Sequence, residues 1–174
     1  MLSAGWLILA VVLAVLVTTW VTFTLTRLDR LHARVDAAQA SLDAQLVRRV
    51  AAVTHVVETD ESALAATDRA RFQALAHAAV TADRDDRQAA ENLVGRAVIE
   101  LVEGHPELPD PAAAELAEAA VRVLIARRFY NDAVRDTRAL RERWMPRLLH
   151  LGARRPLPQF FDIDDTVPVH SAGR

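Results

Sequence analysis

Cysteine is missing from all 174 residues, so disulfide bridges, thiolate metal sites and cysteine nucleophiles are excluded. Lysine is missing as well, and each of the 21 basic side chains is arginine. Aromatic residues make up 5% of the chain, and runs of Ile, Val, Tyr and Phe that favour strands are few. The 52% of hydrophobic residues is mainly Ala and Leu in excess, a composition that points to helices. Five well-separated glycines build no phosphate-cradling loop. Neither Gly nor Pro occurs between Gly5 and Gly95, so no local signal breaks that stretch.

Charge is missing from residues 1–26. Within them, Trp6 to Leu25 forms a 20-residue apolar run. At about 1.5 Å per residue such a helix spans a hydrocarbon core of about 30 Å. Trp6 and Trp20 lie towards its two ends, as interface residues do. A cleaved signal peptide would need a basic leader, a shorter apolar run and small residues at a cleavage site, none of which is present. The expectation is therefore a retained single-pass anchor contacting the lipid bilayer through residues 2–25. Arg27, Arg30 and Arg34 follow the span and only the α-amino group precedes it, which predicts a cytoplasmic soluble domain.

Beyond the anchor about 145 residues remain, enough for one domain. Leu28, Leu31, Val35, Ala38, Leu42, Leu46, Val50, Val53 and Val57 recur at spacings of three and four, predicting a helix continuous with the anchor. A polar break at residues 58–62 follows, with Asp60 as the cap of a second helix that turns Leu64, Phe72, Leu75 and Ala79 inward. A second break lies at residues 83–86, where Asp85 and Gln88 have the spacing of a capping box. Leu93, Ala97 and Leu101 mark the third helix. Gly104 to Pro111 separates it from the fourth, with Asp110 as cap and Pro111 in the first turn. Leu116, Ala120, Val123, Tyr130, Val134 and Trp144 line that helix up to Pro146. Short connections between long helices predict an all-α fold, an antiparallel up-and-down four-helix bundle on a transmembrane helix. The expected division is an anchor at 1–26, the bundle at 27–151 and an irregular tail at 152–174. The Phe160-Phe161 pair is expected to dock on the bundle and the last residues to be disordered.

Charge is unevenly spread. Residues 58–118 hold 14 acids against 5 Arg, and residues 122–155 hold 10 Arg against 3 acids. Facing helices of opposite sign account for this; a basic surface for lipid headgroups or an acidic partner is the alternative. The Arg-rich part lacks interleaved exposed aromatics and any recognised motif, so nucleic acid is not expected as a partner.

Chemistry-bearing motifs are scarce. A di-metal carboxylate bundle needs paired Glu-x-x-His motifs, and the chain has none. Histidines 32, 55, 77, 105, 150 and 170 are scattered singly, and no serine stands beside Gly in a nucleophile elbow. No catalytic, cofactor-binding or metal residues are assigned. The candidates that stand out are Arg48, Arg49, Arg127, Arg128, Tyr130 and Asn131. The Arg guanidinium groups suit bidentate pairs with Asp43, Glu58 or Glu91 in an interhelical network, to which Tyr130 adds ring burial and a hydroxyl; a docking surface for a partner protein is the alternative.

Several stretches carry a family resemblance. Val35-Asp36-Ala37-Ala38-Gln39-Ala40-Ser41-Leu42-Asp43-Ala44-Gln45-Leu46-Val47-Arg48-Arg49, with Val57-Glu58-Thr59 after it, resembles the LemA pattern. Glu91-Asn92-Leu93, His105-Pro106-Glu107-Leu108 and above all Ala126-Arg127-Arg128-Phe129-Tyr130-Asn131-Asp132-Ala133-Val134-Arg135-Asp136 are similar to that family's most characteristic segments. Departures are Gln39 for an aromatic, Val53-Thr54-His55-Val56 for Ile-Pro-Asn-Leu, and Thr137-Arg138 for Tyr-Asn. The resemblance implies a membrane-anchored helical bundle without known catalytic activity. Its implied partners are membrane or envelope proteins, a membrane protease among them. The expected function is a non-enzymatic scaffold or adaptor at the bacterial cell membrane, with a helical sensor or an anionic-lipid-binding module as alternatives.

Overall fold

The computed structural model describes residues 2–59, 64–83, 85–142, 156–164 and 166–168, and these are helical apart from the connections and the tail. Four helices follow in order: α1 (Leu2–Thr59), α2 (Ala66–Thr81), α3 (Arg87–Gly104) and α4 (Asp110–Arg141). Among the described residues there is no strand. The apolar segment does continue into the bundle, because α1 runs 58 residues without a break. Asp60, Trp144, Pro146 and the expected disorder of the last residues lie outside the described residues.

The chain divides into two compact units. One comprises residues 38–131 with the tail from Phe160, and its ion pairs give the helix directions. Asp43 and Arg49 of α1 meet Arg87 and Glu91 of α3, so these two helices run parallel. Arg71 near the start of α2 pairs with Glu100 near the end of α3, which makes α2 and α3 antiparallel. His55 near the end of α1 meets Glu115 near the start of α4 at 3.2 Å, as opposed helices require. Up, down, up, down is the order that connections of a few residues permit. The core draws on all four helices, with Leu46 and Val53 from α1, Phe72 from α2, Val98 and Leu101 from α3, and Leu116 from α4. Phe72 is fully buried and meets the His105 ring edge to face at 6.3 Å.

The other unit comprises residues 1–37 and 132–159. Its buried positions are Thr24, Leu28, His32 and Val35 on α1 and Ala133, Val134, Thr137 and Leu140 on α4. Arg34 and Asp136 form an exposed ion pair of 3.0 Å there. The polar members of this stripe bond back along their own helices: Thr24 Oγ1 donates to Trp20 O, Thr137 Oγ1 to Ala133 O, and His32 Nδ1 lies 2.8 Å from Leu28 O.

Four local expectations need correction. The α1 stripe passes through buried His32, while Leu31 is only half-buried, because the step from Leu28 is four residues rather than three. Leu93 is exposed, since the α3 face that enters the core is Glu91, Val94, Val98 and Leu101. No capping box forms at Asp85 and Gln88. Residue 86 precedes α3 without a side-chain cap, and Asp83 Oδ1 instead accepts the amides of Asp85 and Asp86. In the tail Ile163 and Pro168 are buried, whereas Phe160 is exposed and Phe161 half-buried.

Candidate functional site

The six candidate residues fall into three settings. Arg49 is buried, and its Nη2 donates to both Glu91 Oε2 and Glu91 O, each at 2.8 Å. The side chains of the pair are 4% and 3% exposed. Gly95, one turn beyond Glu91, lies beside this guanidinium: a Cβ there would sit 3.4 Å from Arg49 Nη1, an ordinary van der Waals contact. Arg49 Nε and Gln45 Oε1, one turn apart on α1, are buried without a partner among the described residues. Earlier on the same pair of helices, Arg87 Nη2 lies 2.9 Å from Asp43 Oδ1 in a half-exposed position. Burial raises the Tyr130 phenol above its ordinary range, and the charge of Asp43 adds to the shift. A buried ion pair of this kind fixes register more than it adds net stability, because desolvation offsets much of the attraction.

The second setting is the tail. Asn131 grips one residue of it at two points: its Nδ2 donates to Phe161 O at 3.0 Å and its Oδ1 accepts the Phe161 amide at 2.9 Å. Arg127 Nη1 stands 4.0 Å from Asp162 Oδ1. From α3, Asn92 Oδ1 accepts the Asp164 amide at 2.7 Å.

The third setting is solvent. Arg48 and Arg128 are exposed and make no ion pair among the described residues. On α4, Val121, Ile125 and Phe129 are exposed at intervals of four, with Phe129 63% exposed. They form one stripe on the face away from Val123, Ala126, Tyr130 and Ala133, and Arg122 and Arg128 flank it. Glu118 supports Arg122 through an i, i+4 ion pair.

A surface groove of about 320 Å³ lies between the end of α1 and the start of α2, lined by Val57, Glu58, Ala66, Arg69, Ala70 and Gln73. Among the described residues there is no group of three or more His, Asp or Glu arranged to hold a metal ion.

Arg49 and Glu91 are thus brought together, Arg127 and Asn131 meet the tail, and Arg48 and Arg128 stand apart. Sequence reasoning missed Gly95, Asn92 and Ile163. Gly95 is a lone glycine inside a helical pattern, which is the available signal for a close approach. Asn92 adjoins Glu91, and Ile163 sits between two acids in an alternating run. In comparisons with family models, with curated proteins and with solved structures, the chain matches none of them.

Proposed function

We propose that the chain is a divergent LemA-type protein: a single-pass, non-enzymatic helical adaptor that binds membrane or envelope proteins at the bacterial cell membrane from the cytoplasmic side. The membrane part rests on the exposure of the apolar end of α1. A core helix of a soluble domain is mostly buried, but only 6% of the most apolar stretch of α1 is. Three of the hydroxyls in and just beyond this segment are satisfied along the helix, since Thr22, Thr24 and Thr26 donate to Thr18 O, Trp20 O and Thr22 O. Backbone and side-chain polar groups so paired are compatible with lipid. Arg27, Arg30 and Arg34 just after the span support the cytoplasmic side.

The single observation that carries the adaptor role is the outward stripe of Val121, Ile125 and Phe129 with Arg122 and Arg128 beside it. Exposed apolar and aromatic side chains with flanking Arg are the composition of interface centres. A second reading, a ligand sensor, is favoured by the groove at Val57 and Glu58, which belong to the helix that carries the anchor. Its walls are small or polar, whereas small-molecule pockets are mostly apolar.

Mild crosslinking of the intact chain in membranes, followed by mass spectrometry, tests the adaptor reading against a matched chain lacking residues 1–26. Recovery of a defined protein with the anchored chain only is expected. Recovery of nothing specific from the folded, membrane-embedded chain overturns the adaptor reading in favour of the sensor.

A further inference from the structure

Residues 160–164 are neither helix nor strand, yet side chains of two helices supply backbone hydrogen bonds at Phe161 and Asp164. Asn131 of α4 satisfies both the amide and the carbonyl of Phe161, and Asn92 of α3 satisfies the amide of Asp164. Carboxamides used in this way read main chain rather than side chain, so they accept any residue that is locally extended.

Side-chain selection comes from the two residues between the grips. Exposure alternates along the segment: Phe161 is half-buried, Asp162 exposed, Ile163 buried at 6% and Asp164 exposed. That is the period of two of an extended chain with one face down. Ile163 is the inserted residue. Asp162 points outward but stands over Arg127, whose side chain is only 13% exposed. The Asp164 carboxylate is occupied within the tail itself, since its Oδ1 accepts from both the amide and the hydroxyl of Thr166. The arrangement therefore asks of an occupant an extended backbone, an acid, and then an aliphatic residue.

We propose that the face of α3 and α4 bearing Asn92, Arg127 and Asn131 is a peptide-docking groove for an extended partner segment with an acid followed by an aliphatic residue, and that residues 161–164 occupy it in cis as a displaceable competitor. The proposal deepens the adaptor reading and rests on it, because it names a surface and the chemistry of the segment that the surface takes. Two main-chain grips, one small aliphatic insertion and one outlying acid make a modest hold, and local segments held this way open without global unfolding. An intramolecular competitor lowers the apparent affinity of any added segment by the fraction of time it occupies the groove. Release of the tail is then the event that admits a partner.

The test uses the full chain in detergent micelles and a fluorescent peptide of residues 156–168 as the probe. Ile163→Asp is expected to release the tail and leave the groove intact, so the labelled peptide binds this variant at least tenfold more tightly than the unaltered chain. Adding Asn131→Ala to Ile163→Asp is expected to abolish that binding. No peptide binding to an Ile163→Asp chain of unchanged helical content overturns the proposal. So does equal binding with and without Asn131→Ala. If Ile163→Asp loses helical content, hydrogen exchange on the unaltered chain decides: Phe161 and Asp164 amides exchanging well before the central amides of α3 and α4 support a displaceable tail, and exchange together with them overturns it. Concentration-dependent self-association that Ile163→Asp abolishes also overturns it, in favour of a tail exchanged between copies. Because the peptide measurement reads the groove and the membrane crosslinking reads the partner, failure of one is distinguishable from failure of the other.

Discussion

The two stretches of α1 are one continuous helix built for different surroundings. From Trp6 to Val17 every large apolar side chain is exposed, and no charged side chain occurs before Arg27. From Ala38 to Thr59 the large apolar residues other than exposed Val47 keep to one face, with Leu42, Leu46, Val50, Val53 and Val57 buried and Arg48 and Glu58 exposed. A helix with apolar residues on every side needs a surrounding that is apolar on every side, whereas a striped helix needs only one neighbour. The second stretch also buries a charge, Arg49, and does so beside Glu91. The difference shows that charge content and stripe width, rather than helix propensity, divide the labour along α1.

The sharpest way to break this comparison is to put charge into the first stretch. Leu13→Arg combined with Leu16→Arg is expected to cost about 5–7 kcal/mol of insertion free energy, from about 2.5–3.5 kcal/mol for each Arg near the centre of a span. The readout is the fraction of protein retained in membranes after an alkaline wash, which should collapse. Full retention would remove the anchor reading. In the second stretch, Arg49→Ala is expected to destabilise the fold by about 3–5 kcal/mol, because it strands the buried Glu91 carboxylate. Denaturant unfolding in detergent measures it. Arg49→Met together with Glu91→Leu should recover most of that loss, since an apolar pair of similar size needs no desolvation.

Much of the fold was legible because hydrophobic periodicity is a strong signal over long segments. The α1 stripe, the inward face of α2 and the break at residues 104–111 are where spacing and turn residues put them. What escaped was decided by contacts that spacing does not encode. His32 is buried with its Nδ1 2.8 Å from Leu28 O and its Nε2 without a partner among the described residues, so a polar residue takes a place that periodicity gives to Leu31. Asp83 takes over the amides at the start of α3 because a side chain two or three residues upstream reaches them first. Of the candidate residues, adjacent Arg48 and Arg49 look alike in sequence, and the approach of buried Glu91 to Arg49 separates them. The tail was the least legible, since its partners are 30 and 72 residues away in the chain.

A finer test uses Tyr130 of α4, the single tyrosine in the chain, which feels the charge of Asp43 in the striped stretch of α1. Burial holds the folded-state pKa of Tyr130 above the unfolded value, with Asp43 adding to the rise. The folded state therefore keeps the phenolic proton to higher pH than the unfolded state does. Its contribution is fully present below the unfolded pKa of about 10 and is lost as pH rises through the folded pKa. Absorbance titration of the phenolate should show a midpoint above 10 that returns to the ordinary value in denaturant. Tyr130→Phe should flatten the alkaline limb of the stability profile.

The smallest expected effect on stability separates a structural from a recognition role within one motif. Arg127 and Tyr130 are covered by the fold, whereas Arg128 and Phe129 between them are exposed. Substitution at exposed positions without partners ordinarily changes stability by no more than about 0.5 kcal/mol. Arg128→Ala and Phe129→Ala should therefore unfold within that margin of the unaltered chain in denaturant titration. On the adaptor reading the same two chains lose the crosslinked partner, because the side chains removed belong to the outward stripe. An exposed Arg48→Ala, on another helix and equally silent in stability, should leave partner recovery intact. Partner loss in all three would point to charge alone as the attraction, and loss in none would move recognition away from α4.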